Sequence, residues 1–154
     1  MGFPFSVENA TESELELSKL QLALEKVCGI EEISQSVHVL VTTDQQVQEL
    51  NQRFRGIDAT TDVLTFPSGQ NHPFPLGDIA ISLPYAQRQA SARGVGLEQE
   101  LIALIVHGVL HLKGYDDVQD EDKLRMQTRM NEIGEMIGTP IDAFWTSVLH
   151  QEEE

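Results

Sequence analysis

Cysteine is almost missing from this 154-residue chain, where Cys28 stands alone. A single thiol closes no internal disulfide, so the fold is expected to hold without covalent cross-links, in a reducing compartment. Basic residues are also scarce, 10 Lys plus Arg against 25 Asp plus Glu, for a formal net charge of −15. Coulomb repulsion at that charge excludes a histone-like protein that coats polyanions along their length. It leaves room for RNA reached through a local basic patch or a metal ion. No apolar run nears the roughly 20 residues that cross a bilayer. The start, MGFPFSVENA, has neither the positive region nor the apolar stretch of a secretion signal. A cytoplasmic protein that makes no use of a membrane is therefore expected. Neither an internal repeat nor a linker interrupts the chain. The expectation is one domain over residues 1–150, with 151–154 as a solvated tail.

What is present is a chain 40% hydrophobic, enough for a sizeable core. Phe3, Phe5 and Val7 alternate as in a short strand. Thr11 and Glu14 have capping-box spacing, followed by Leu17, Leu20, Leu24 and Val27 at helical intervals up to Gly29. Residues 37–41 (VHVLV) read as a strand with Val37, Val39 and Val41 on one face. Thr43 and Gln46 repeat the capping-box spacing before a helix with the stripe Val47, Leu50, Phe54, ended by Gly56. Residues 62–66 (DVLTF) and 77–83 (GDIAISL) read as strands on either side of a proline-rich loop. Residues 84–93 read as a helix opened by Ser82 or Leu83.

Residues 97–112 stand apart. Ten of these sixteen positions are apolar, on nearly every face, which predicts a buried central helix stopped by Gly114. An amphipathic helix over 120–137 follows, with Leu124, Met130, Ile133 and Ile137 on one side. A short last helix carrying Phe144, Trp145 and Val148 restarts at Thr139-Pro140. Four strands and five or six helices in this order indicate one α+β domain.

The central helix contains His107 and His111, four residues apart and so one turn apart on one face, close enough to share a metal ion. Two core histidines with backbone partners are the alternative. Against it, imidazoles are costly in an otherwise apolar helix. Gly114 then reverses the chain, and Asp116 and Asp117 follow where a carboxylate can fold back. The spacing H-x-x-x-H-x-x-G-x-x-D is like that of metzincin proteases. Those enzymes carry Glu directly after the first His as general base, whereas this chain has Gly108, which disfavours a peptidase.

The string His107-Gly-Val-Leu-His111-Leu-Lys-Gly114-Tyr-Asp-Asp117 resembles the HGxLHLxGYDH signature of the YbeY family, bacterial endoribonucleases of ribosomal RNA maturation. Leu50-Asn51, Phe54-Arg55-Gly56 and Thr61-Asp62-Val63-Leu64-Thr65-Phe66-Pro67 are similar to that family's LN…YRG…TDVLSFP block. Leu76-Gly77-Asp78-Ile79-Ala80-Ile81-Ser82 is similar to its LGDIxIS strand. These blocks occur in family order over residues 50–117.

The resemblance implies one mixed, mostly parallel four-stranded sheet with helices around it. It also implies one divalent metal ion, zinc first, with iron, manganese or nickel as alternatives. The family's three ligating histidines fall on His107, His111 and position 117, which here is Asp. A carboxylate is a sound zinc ligand, and it lowers the net site charge by one relative to three neutral imidazoles. Asp116 is the neighbouring alternative, and the spacing favours Asp117. The family's functional arginine falls on Arg55, whose guanidinium would hold a phosphate in a fork beside His107 at the metal. A cation stabilising its own helix end is the other reading of Arg55.

The implied activity is metal-dependent endonucleolytic cleavage of single-stranded or ribosomal RNA, in ribosome maturation and quality control, with the ribosome or its proteins as partners. A ribosome-associated factor with a structural metal, or a metal-dependent hydrolase of another substrate, are the alternatives. An RNA-cutting role at −15 predicts that Arg53, Arg55, Arg88, Arg93 and Lys113 gather near the substrate. Asp78 is either a partner for a ligand histidine or part of a solvated turn. His38 is expected to be structural or exposed, His72 to rim a groove at most, His150 to be idle, and Cys28 to pack in the core.

Overall fold

The computed structural model describes residues 4–143 and 145–147. Among the described residues nine elements follow in chain order. They are β1 (Phe5–Asn9), α1 (Leu17–Ile30), β2 (Val37–Thr42), α2 (Asp44–Arg55), β3 (Val63–Pro67), β4 (Gly77–Ser82), α3 (Leu83–Arg93), α4 (Leu97–Lys113) and α5 (Asp120–Ile137). The sheet has the order β1-β2-β4-β3. β1 pairs with β2 and β2 with β4 in parallel, while β3 closes one edge antiparallel to β4. This is the expected α+β class, with a mixed, mostly parallel sheet and five helices.

The period-two alternation of the strands divides the molecule into layers. Val37, Val39 and Val41 of β2, Ile79 and Ile81 of β4 and Val63 of β3 form one core with residues of α1, α3, α4 and α5. The opposite face of β4 and β3 turns Ala80 and Leu64 toward Val47 of α2, with Leu50 and Phe66 partly buried beside them. Within the larger core α4 is buried along nearly its whole length, including Glu100 and His107. Gly108 lets it lie close on the sheet, because a Cβ there would sit 2.8 Å from Ile79 Cδ1.

Local signals set most boundaries. The Thr43 hydroxyl accepts the Gln46 N–H at 3.2 Å and opens α2, and Ser82 does the same for α3 through Tyr85 N–H at 3.3 Å. Gly56, Gly94, Gly114 and Gly138 end their helices in the left-handed conformation. Three expectations differ from the structure. Thr11 does not cap α1, whose N-cap is Glu16 without a side-chain bond. Its N–H and hydroxyl donate to Asn9 Oδ1, and its hydroxyl accepts Ser13 N–H, so a local turn takes the capping groups instead. The apolar stripe of α2 is buried at Val47 and open at Phe54, which is 61% exposed beyond the rim of the small sheet face.

No helix forms among the described residues after Gly138, 139–143 and 145–147. There the chain is drawn out by Trp145 and Ser147, both buried and both hydrogen-bonded to buried carboxylates. Phe3, Phe144, Val148, His150 and the 151–154 tail lie outside the described residues.

Candidate metal centre

α4 delivers two imidazoles to one point. His107 and His111 sit one turn apart with ring centroids 4.5 Å apart in an edge arrangement. The helix stops at once, since Gly114 at φ +114° turns the chain and its N–H, with that of Tyr115, closes on His111 and Leu110 carbonyls. The reversal returns Asp117, whose Oδ2 lies 3.5 Å from His111 Nε2. One donor atom from each of His107, His111 and Asp117 falls within 4.8 Å of the others. Asp116 is turned away and exposed, its Oδ1 accepting Val118 N–H at 3.0 Å. The carboxylate beside the histidines is thus that of Asp117.

This donor set fits a divalent ion. Bonds of about 2.0–2.1 Å in tetrahedral geometry separate donors by about 3.3 Å, which the His111–Asp117 pair already meets within a few tenths of an ångström. The remaining donor pairs lie within 4.8 Å. Both histidine Nε2 atoms and Asp117 Oδ1 are buried. Two imidazoles and a carboxylate suit zinc, and equally iron(II), manganese or nickel.

Two residues behind the histidines escaped sequence reasoning. Trp145 places its ring 5.1 Å from that of His107. Glu100, 1% exposed, accepts the indole N–H. The signal for Glu100 was a carboxylate seven residues before His107, hence on the same face of an apolar helix. Asp62, just before β3, is a buried hub: it accepts Val63 N–H at 2.7 Å, Ser147 Oγ–H at 2.8 Å and Gln89 Nε2–H at 3.2 Å.

Arg55 is placed on the other face of the sheet. It rims a groove of about 720 Å³ together with His38, Leu50, Phe54, Phe66 and Asp78. Phe54 meets Phe66 edge-on, ring centroids 5.2 Å apart. Asp78 alternates with Ile79 and so faces this groove instead of the histidines on α4, which corrects its expected role as their partner. His38 is half-exposed at the same groove, bonded to Ser6 Oγ through Nδ1. His72 is exposed on its loop, and Cys28 is buried in the core.

Of the five basic residues expected near the substrate, Arg53 and Arg55 are exposed in the last turn of α2, and the other three bond to acceptors of the fold. Arg88 pairs with Asp44, Arg93 with Glu100, and Lys113 donates to the Glu31 carbonyl. Each of them is engaged in holding one element to another.

Fold and cluster together define a class: an α+β domain with a histidine pair on its central helix and a carboxylate returned to it by a glycine turn. The family model described as "Endoribonuclease YbeY" matches residues 6–138. The chain is 41% identical to an endoribonuclease YbeY of Shouchella clausii over 115 residues, 66% of this chain and 72% of that one. It is 39% identical to one from Helicobacter pylori over 106 residues, 69% and 76% of the two chains. A solution structure from Thermotoga maritima superposes with a TM-score of 0.65 at 29% identity, covering 86% of this chain and 88% of that one. The chain belongs to the endoribonuclease YbeY family.

Proposed function

We propose that this protein is a metal-dependent endoribonuclease that cuts single-stranded RNA, with ribosomal RNA as its substrate in maturation and quality control. The observation that carries the reading is the convergence of His107, His111 and Asp117 within 4.8 Å at the end of a buried helix. The relatives' name, endoribonuclease, supports the reaction class. His107, His111 and Asp117 would hold the ion, zinc first. A divalent ion bound there supplies Lewis-acid polarisation of a phosphodiester and activation of the attacking oxygen.

The rest falls to the chain's own groups. Arg55, across the sheet from the three ligands, would offer its parallel N–H donors to another phosphate of the bound strand, not to the one at the ion. The exposed face of Phe54 beside Phe66 offers an unpaired base a stacking surface, a contact that depends little on net charge. Gly108 points into the sheet and contributes no base, so the proton of the attacking oxygen leaves by a route other than the residue after His107.

The test is cleavage of a ribosomal-RNA-derived single-stranded oligonucleotide by the metal-loaded protein and by His107→Ala. Cleavage is expected to disappear with the metal in the variant while the fold persists. Full metal occupancy and full cleavage by His107→Ala would refute the site. A product ending in a 2′,3′-cyclic phosphate identifies the 2′-hydroxyl as the attacking group. Arg55→Lys should impair cleavage at unchanged metal content, because a point charge does not reproduce the fork. Cleavage at the wild-type rate would reduce Arg55 to a helix-end cation.

A second reading, a ribosome-associated factor with a structural metal, draws on one observation. In a chain of net charge −15, three of the basic residues expected near the substrate, Arg88, Arg93 and Lys113, are tied to acceptors of the fold. Four protein ligands on the bound ion would favour this reading, and three plus solvent the first.

A further inference from the structure

Glu100 and His107 stand seven residues apart on α4, almost two full turns, and project from one face. Both are buried, at 1% and 2% exposure. Trp145 spans them. Its indole N–H donates to Glu100 Oε2 at 3.0 Å, and its ring centroid lies 5.1 Å from that of His107 at a tilt of 57°. Arg93, from the last turn of α3, holds the same indole. Its guanidinium carbon is 5.0 Å from the ring centroid, and its Nε is 3.4 Å from Glu100 Oε1. It also donates to the Thr146 carbonyl at 2.8 Å, and Ser147 donates to buried Asp62 at 2.8 Å. Residues 145–147 have no regular structure, yet the side chains of buried Glu100 and Asp62 and of Arg93 grip them.

A buried carboxylate is retained at a cost. Burial pushes the Glu100 carboxyl above the ordinary range, against the pull of Arg93 and of the Trp145 hydrogen bond. A histidine, meanwhile, has a broad torsion about its ring axis, and a metal site needs that ring held in one orientation. Glu100 fixes the indole, and the indole lies against the imidazole.

We infer that Trp145 is a positioning residue of the metal centre: anchored on Glu100 and Arg93, it braces the His107 ring so that the three donor atoms stay converged. Docking of residues 145–147 and metal binding are therefore coupled, and each strengthens the other. The inference rests on the reading of His107, His111 and Asp117 as metal ligands.

The experiment titrates the metal-free full chain with Co2+ and follows the visible ligand-field bands. It also follows intrinsic fluorescence, which reports on this site because Trp145 is the chain's one tryptophan. Wild type, Trp145→Phe, Trp145→Ala and the core variant Ile133→Val are compared. Ile133 is fully buried on α5 and serves as the control for lost stability alone. Co2+ should quench the wild-type fluorescence. Trp145→Phe keeps a ring but loses the N–H anchor, and should weaken Co2+ binding by about 10–100-fold, the range for residues that orient ligands. Trp145→Ala should also shift the bands, and Ile133→Val should do neither. If Trp145→Ala does not fold, the phenylalanine variant decides alone.

Wild-type affinity and unchanged bands in Trp145→Phe would overturn the bracing role and leave the metal site standing. An equal loss in Ile133→Val would also overturn it. Wild-type protein that binds no Co2+ would overturn the metal reading, and the inference with it.

Discussion

A single methyl group on Gly108 sets two effects of similar size against each other. Alanine is the better helix former, by about 1 kcal/mol over glycine in a helix interior. The new methyl, however, would lie 2.8 Å from Ile79 Cδ1 and 3.1 Å from both Cγ1 and Cγ2. Ile79 is 1% exposed and β-branched, and its strand β4 is bonded on both sides, to β2 and β3. The bonded strand holds the backbone, so the side chain must give, and it does so inside a packed core. Overpacking of this kind costs about 1–3 kcal/mol. The clash wins, and Gly108→Ala should be destabilised by about 1 kcal/mol net, or about 2–4 °C in melting temperature for a domain of this size.

Urea unfolding at constant m-value, with a parallel thermal melt, measures this difference. A variant about 1 kcal/mol more stable than wild type would show that helix propensity wins and that α4 does not lie as close to the sheet as described. The consequence reaches the site, since pushing α4 off the sheet carries His107 and His111 together. Metal affinity in Gly108→Ala should then fall less than when a ligand is removed. Gly108→Glu, the residue a zinc peptidase has there, should not fold, because the carboxylate would enter the core unpaired.

Three further outcomes are expected. Asp117→His should keep the metal, because Gly114 brings position 117 back to the histidines whatever it carries, whereas Asp117→Ala should weaken binding as much as loss of a histidine; equilibrium dialysis against a metal buffer separates the two. Burial pushes the Asp44 carboxyl up, but hydrogen bonds from Arg88 and Ser82, the Arg88 charge and Thr60 outweigh it and hold the group below the usual carboxylate range. Its stabilisation is thus fully present above pH 4 or so, where an unfolded Asp ionises, and is lost as pH falls through the lower folded value. Asp44→Asn should therefore destabilise at neutral pH, with the gap closing in acid; a gap that does not narrow would contradict this. Burial pushes the Cys28 thiol up to about 12, so a thiol reagent at pH 8 should label it only after denaturation. Rapid labelling of the native chain would mean that the α1 end opens readily.

Much of this protein was legible in its sequence because the deciding physics was local. Alternation in VHVLV and GDIAIS, glycines at 56 and 114, and Thr43 and Ser82 before their helices each act within a few residues, and each matches the element observed. The histidine pair was legible for the same reason, since a spacing of four on a helix is geometry, and Gly114 brings the next carboxylates round. Tertiary structure decided the rest. Which of two adjacent aspartates faces the histidines depended on a hydrogen bond to Val118 N–H that occupies Asp116. That Asp78 and Arg55 share a groove across the sheet from α4 depended on which face each side chain takes in the assembled register. The helix expected after Thr139 gave way because Trp145 and Ser147 reach Glu100 and Asp62, 45 and 85 positions earlier in the chain. Contacts across such separations appear only once the layers have packed, and no local pattern records them.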